Sequence, residues 1–174
     1  MSTVNPTITT LHHLLDYDAS KFTSAEIQLS KSLPEWINKT GSLKLKTVLQ
    51  KYLDFVTQHI QSMEIFFEEE NINSLSVNNR VMQAFIEEAD DKLSNCIDAE
   101  VKDACLLSCI QAINHFKIST YGTAAAFANA LGMQKQAAIF YAAEVTEKQI
   151  DDRLTQLAEF EVNKNARTPV ALPA

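Results

Sequence analysis

The sequence predicts an all-α protein, an antiparallel four-helix bundle with one additional short crossover helix. Three observations predict it. Apolar residues recur at a spacing near 3.5 in four long segments. Only three glycines and four prolines occur, and each glycine is isolated, which leaves little of the turn chemistry that a many-stranded sheet needs. A chain of 174 residues, 46% hydrophobic and 21% charged, is also long enough for one domain to bury a sizeable core.

The elements follow in order. Leu15, Phe22, Glu26, Leu29, Leu33 and Trp36 step by seven, four, three, four and three, which predicts a helix over about 7–39 that stops at Gly41. Pro34 lies inside it and is expected to bend it by removing one backbone donor. Ser42 is a natural N-cap for a second helix over about 43–70, whose stripe is Leu45, Val48, Tyr52, Phe55, His59, Met63 and Phe66. The stretch NSLSVNN reads as a connector into a shorter amphipathic helix over about 77–95 with Val81, Met82, Phe85 and Ile86. A third long helix over about 98–131 ends at Gly132, and one of its edges runs Leu107, Ile110, Asn114, Lys117, Tyr121 and Ala124. The fourth, over about 133–162, carries Phe140, Ala143, Glu147, Ile150, Leu154 and Leu157, with Asp151 one turn beyond Glu147. Helices of roughly 30 residues, about 45 Å long, are the parts of such a bundle. Residues 1–162 form a single domain in this reading. Residues 163–174 lose periodicity, hold two prolines and read as a tail.

Composition excludes several classes of function. The net charge is −7 with no basic cluster, so the electrostatic footprint of a nucleic-acid binder is missing. No apolar run approaches the roughly 20 residues that span a bilayer, and the N-terminus has neither a basic nor an apolar leader region, which points to the cytoplasm and no membrane partner. Cys96, Cys105 and Cys109 read as reduced, buried small side chains, because no Cys-x-x-Cys or nearby His completes a ligand set. Nucleophilic catalysis has no support either: the chain has no Gly-x-Ser-x-Gly motif and no Gly-rich phosphate loop.

Each long helix carries a polar residue near its middle, and Glu26, His59, Asn114, Lys117 and Glu147 are placed to meet at one level. A carboxylate in an apolar seam is expensive unless a cation or donors neutralise it. Carboxylate bundles solve that with two metal ions, held by a Glu from each of two helices and a Glu-x-x-His from each of the others. The required Glu-x-x-His motifs are absent here.

The segments AEIQLSKSLP at 25–34, AFIEEADDKL at 84–93, AEVKDACLL at 99–107, HFKISTYGTAAAFANALG at 115–132 and EKQIDDRLTQLA at 147–158 together resemble the bacterial ferritin-like YciE/YciF proteins, in the same order and spacing. The resemblance implies a ferritin-like bundle, usually dimeric, associated with stress responses, with a di-metal centre in some form and no settled biochemical activity. The departures bear on the site. Where the family commonly reads EHYEI, with two glutamates, this chain has Asn114-His115-Phe116-Lys117-Ile118; His59 stands where the second helix usually ends a Glu-rich stretch in Gln. Glu26, Glu147 and Asp151 alone match the family's acids.

A di-iron or di-manganese pair needs about four carboxylates, and the seam offers Glu26 and Glu147 with Asp151 as a third at most. Lys117 would supply the positive charge instead, or else snorkel from the bundle edge with its head in water. The first reading is therefore a non-enzymatic structural or interaction protein with a degenerate site built of Glu26, His59, Asn114, Lys117, Glu147 and Asp151, needing no cofactor. The alternative is an iron- or manganese-binding oxidase or iron-handling protein with one ion on Glu26, His59 and Glu147. His115 is expected at the surface or an interface, and His12 and His13 in solvent. A homodimer is expected from the resemblance and because Ile65, Phe67, Phe116 and Phe127 lie off the main seam and need somewhere to pack.

Overall fold

A computed structural model of the chain describes residues 7–72 and 78–167, and among them there is no strand. Five helices carry the fold: α1 (Leu11–Lys39), α2 (Leu43–Glu69), α3 (Arg80–Asn95), α4 (Ala99–Ala130) and α5 (Gln134–Leu157). The chain continues through a wide π turn at Ala158–Val162 and a last helical turn at Asn163–Asn165.

Capping explains most of the boundaries. Thr10, Ser42, Asn79 and Asp98 each accept a hydrogen bond from a backbone N–H in the first turn of α1, α2, α3 and α4. At the end of α4, Gly132 adopts φ +73° while the Met133 N–H returns to the Ala128 carbonyl at 2.9 Å. That left-handed reversal is what a glycine permits without strain. Asn71, with φ 52°, closes α2 in the same way, its successor Ile72 bonding back to Phe67.

The four long helices share two apolar clusters, and these give their directions. One cluster holds Leu29 and Leu33 of α1, Leu45 and Leu49 of α2, Leu107 and Ile110 of α4, and Ile150 and Leu154 of α5. The other holds Leu15 and Phe22, Met63 and Phe66, Tyr121 and Ala128, and Ala137 and Phe140. Reading each helix from one cluster to the other, α1 and α5 run one way and α2 and α4 the other. The helices that pack most directly on each other, α1 with α2, α4 with α5, α2 with α5 and α1 with α4, are thus antiparallel. Because α2 and α4 run the same way, the chain must climb back between them. The α3 segment makes that return, packing on α1 and α4 through Met82, Ala89 and Leu93 while the Trp36 indole N–H bonds Asp90 at 2.8 Å.

Several expectations are adjusted. The first helix begins at Leu11 rather than near residue 7, because Thr10 caps it there. It runs unbroken through Pro34 to Lys39. The last helix gives way at Leu157, yet helical backbone persists to Asn165 and Val162 is buried, so the expected tail starts later than 163; residues 168–174 lie outside the described residues. Cys109 is buried as expected, but Cys96 and Cys105 are only half-buried, all three being free thiols. The off-seam aromatics find partners within the chain: Phe67 is buried, Phe116 packs on Phe85 of α3 with ring centroids 5.7 Å apart, and Phe127 lies against the second cluster. Ile65 alone of the four is exposed.

The turn between α1 and α2 is clamped from α4. Asp103, buried, accepts from the Gly41 N–H at 2.9 Å and from the Ser42 N–H at 2.7 Å. Charged acceptors of this kind contribute more than neutral ones, and removal leaves two backbone donors without a partner. Asp103→Ala is expected to lower the unfolding free energy by about 2 kcal/mol with helicity retained, as read from urea unfolding followed by circular dichroism. A loss well under half of that would mean water replaces the clamp.

Candidate functional site: a buried ion cluster at mid-bundle

Between the two apolar clusters all four long helices turn a polar side chain inward. Along α1 the apolar run is broken by Glu26, along α2 by His59, along α4 by Asn114 and Lys117, and along α5 by Glu147. All five are buried; Lys117 is 2% exposed and Glu147 fully enclosed. The snorkelling arrangement for Lys117 is therefore not adopted. Its Nζ lies 2.9 Å from Glu26 Oε2 and 2.5 Å from Glu147 Oε1, and 4.6 Å from the centre of the Tyr52 ring. Both pairs are short and buried, so the attraction between the ammonium and the carboxylates is little screened by water.

The other carboxylate oxygens are taken by donors. Tyr121 donates to Glu26 Oε1 at 2.5 Å, and Tyr52 donates to Glu147 Oε2 at 2.9 Å. The Asn114 amide donates to that same oxygen at 2.7 Å and to the Glu147 backbone carbonyl at 2.9 Å, while its own Oδ1 has no partner among the described residues. His59 Nδ1 lies 3.0 Å from Glu26 Oε1 and 3.5 Å from Glu147 Oε1. Its Nε2 is 2.7 Å from the Thr146 hydroxyl, which donates to the Ala143 carbonyl and so accepts from the ring. His59 and Thr146 also form part of the wall of a groove of about 350 Å³ between α2 and α5, lined as well by Gln58, Ser62, Ile139 and Ala142.

Electrostatics follow from this geometry. Burial works to lower the proton affinity of Lys117, but Glu147 and Glu26 outweigh it and hold the ammonium above its ordinary range. Burial likewise works to raise Glu26, yet the Lys117 charge and the His59 and Tyr121 contacts bring it below the usual carboxylate range. Glu147 moves up, because burial and the neighbouring Glu26 charge exceed what Lys117 and His59 return to it. Tyr52 and Tyr121 are pushed well above the ordinary phenol range, first by burial and then by the carboxylates they face.

Of the residues expected at the site, Glu26, His59, Asn114, Lys117 and Glu147 come together and Asp151 does not. One helical turn past Glu147, Asp151 has rotated off the seam and pairs at 2.9 Å with His115, whose side chain is 66% exposed. His12 lies in the partly exposed space between Asp16 and Glu70, and His13 bonds Thr9. Tyr52, Tyr121 and Thr146 were missed as site residues. Tyr52 lies one heptad before His59 and Tyr121 one turn after Lys117, so a phenol at those seam positions was the available signal.

The metal question can be put to these atoms. Glu26, His59 and Glu147 each offer a ligand atom, and the three lie within 4.8 Å of one another. The Lys117 ammonium, however, already occupies the position between the two carboxylates that a shared cation would take, and the set has only two carboxylates. A second positive ion there would meet a tethered one at contact distance, so the donor set does not fit a di-metal centre.

A helical bundle divided by a buried layer of two carboxylates, one ammonium and an imidazole is the class of protein these features define. Over residues 10–167 the chain matches the family described as a domain of unknown function, DUF892, and it belongs to that family, the YciE/YciF group. It is 33% identical to protein YciF of Escherichia coli (strain K12) over 144 residues, 82% of this chain and 87% of that protein. The crystal structure of the E. coli stress protein YciF superposes with a TM-score of 0.84 at 30% identity, covering 90% of this chain and 99% of that one. A Rhodopseudomonas palustris protein, YcfI, described as a candidate structural protein, gives 0.83 at 26% identity over 89% and 98%.

The raised proton affinities of Lys117, Tyr52 and Tyr121 have a signed consequence. Below the unfolded values of 10.5 for lysine and 10.0 for tyrosine both states hold these protons. Above them the unfolded chain releases protons that the fold retains, so stability falls as pH rises. Urea midpoints measured between about pH 8 and 11 should decline above about pH 10, and less steeply in Tyr121→Phe. Equal slopes for the two proteins would separate Tyr121 from the effect.

Proposed function

We propose that this protein is a metal-independent member of its family, a non-enzymatic structural or interaction protein of the cytoplasm in which Lys117 does the neutralising that bound ions do in carboxylate bundles. The observation that carries the reading is the Lys117 ammonium lying between Glu26 and Glu147 at 2.9 and 2.5 Å. The relatives agree with it in tone: one is named a stress protein and another a candidate structural protein. No helix of the described residues is long and apolar enough to cross a membrane, and the chain is acidic, so protein surfaces are the partners this reading favours. Assembly as a homodimer is part of the proposal, supported by the family resemblance and by exposed apolar side chains such as Ile65, Tyr141 and Phe160. A single-ion reading rests on the reach of Glu26, His59 and Glu147 and requires Lys117 to leave or lose its proton.

Two variants and one analysis test this. Lys117→Met leaves two buried carboxylates facing each other without a cation, and breaking such a pair costs about 3–5 kcal/mol. Lys117→Glu adds a third carboxylate at the same place, so its stability is expected to depend on added iron or manganese, where the wild type is indifferent to both. Wild-type protein purified without added metal should contain no stoichiometric ion by elemental analysis. Tightly bound iron or manganese in that sample, or a Lys117→Met protein as stable as wild type, would overturn the reading.

A further inference from the structure

The chain has three cysteines, and the fold brings all of them together outside the mid-bundle layer. Cys105 and Cys109 lie one helical turn apart on α4, so their side chains share a face. The α3 helix packs on α4, and Cys96 is the residue that caps the C-terminal end of α3. The Cys105 thiol is in hydrogen-bond contact with those of both Cys96 and Cys109 and stands between them. Sequence spacing hides this cluster, because Cys96 reaches the other two only through the turn from α3 into α4.

From this convergence we propose that Cys96, Cys105 and Cys109 form a thiolate site for the soft monovalent cation Cu(I), where α3 meets α4. Thiolate sulfur is the ligand type that selects Cu(I) and zinc over hard ions. Structural zinc takes four ligands in a closed tetrahedron, and among the described residues no His, Asp or Glu forms a close ligand group with the cysteines. Cu(I), singly charged and with a filled d shell, is satisfied by two or three sulfurs. Binding is a proton exchange: each thiol that ligates releases its proton to solvent as its sulfur bonds the ion. Copper stays Cu(I) throughout, and no electron is transferred.

The local structure suits a ligand set better than a nucleophile. Burial and the neighbouring Cys109 and Cys96 push the Cys105 thiol up to about 12, so it is a poor nucleophile, whereas a coordinated cation removes the proton outright. Cys109 is buried and Cys105 half-buried on one rigid helix, which fixes two of the sulfurs. The three sulfurs do not all lie within 4.8 Å of one another, so the third must turn in as the ion binds. Cys96 is placed to do that. It sits on non-helical backbone, φ −83° and ψ 117°, and the backbone contact it gives up is a weak one, its Sγ donating to the Lys92 carbonyl at 3.3 Å. Because Cys96 and Cys105 are only half-buried, the ion reaches them without opening the bundle.

The site is separate from Glu26, His59 and Glu147, and protein isolated without added metal carries its cysteines as thiols. Full-length protein, reduced and kept free of oxygen, is titrated with Cu(I) held by the competing chelator bathocuproine disulfonate; the copper taken up is counted and its ligand shell read by X-ray absorption. The expected result is one Cu(I) per chain in a sulfur-only shell. Cys105→Ser should weaken uptake by more than the roughly 100-fold that loss of an outer-shell partner can cost. Cys96→Ser and Cys109→Ser should each weaken it by less, and circular dichroism checks that every variant is folded. Uptake unchanged in Cys105→Ser, a folded protein that binds Cu(I) no more tightly than the urea-unfolded chain, or a one-to-one zinc complex that Cu(I) does not displace would overturn the proposal. Iron and manganese analysis judges the metal-independent reading of the mid-bundle layer, and Cu(I) uptake by the cysteine variants judges this inference whichever way the first falls.

Discussion

Two carboxylates buried in a helical bundle must be neutralised, and the position of everything else at mid-bundle follows from that constraint. Glu26 and Glu147 approach from α1 and α5 and meet at one ammonium nitrogen. The cation comes from α4 as Lys117, and the remaining lone pairs are met by His59 and Tyr52 of α2 and by Asn114 and Tyr121 of α4. A layer assembled from four helices fixes their relative heights. Sliding any helix by one turn would put a polar or charged group into one of the two apolar clusters on either side, where it would have no partner.

A tethered ammonium is a different solution from a bound metal ion in ways that matter chemically. It cannot dissociate, so the positive charge it brings does not depend on ion supply. It has no open coordination position to offer, and it undergoes no change of oxidation state. What remains with proton and electron chemistry of its own are the phenols and the imidazole. The imidazole is also the member of the cluster that borders the groove between α2 and α5.

The helices and the membership of the cluster were largely legible because both depend on periodicity. A polar residue on an apolar stripe is visible at once, and Glu26, His59, Asn114, Lys117 and Glu147 were found that way. Tyr52 and Tyr121 were not, because an aromatic on a seam looks like any other core residue and its hydroxyl leaves no mark on the pattern. Thr146 was hidden for the opposite reason, lying one residue off the seam of α5 next to Glu147. Asp151 lies about 40° further round α5 than Glu147, at the edge of the seam, where it pairs with His115 instead of joining the cluster. Phe116, expected to need a partner surface, instead packs on Phe85 of α3 within the chain.

Stability alone is a weak explanation for so elaborate a layer. A buried ion pair can often be replaced by well-packed apolar side chains of similar volume at little or no cost, so the cluster is best understood through what an apolar layer could not provide. Setting the register of four helices is one such thing, but a single buried pair can do that. Lys117 between Glu26 and Glu147 ties α1, α4 and α5, and the His59–Glu26 contact ties α2 to them. The two phenols, each on its own carboxylate, and the His59–Thr146 link to the groove exceed that requirement. They are the parts of the layer that hold an exchangeable proton against a carboxylate, which an apolar layer could not do.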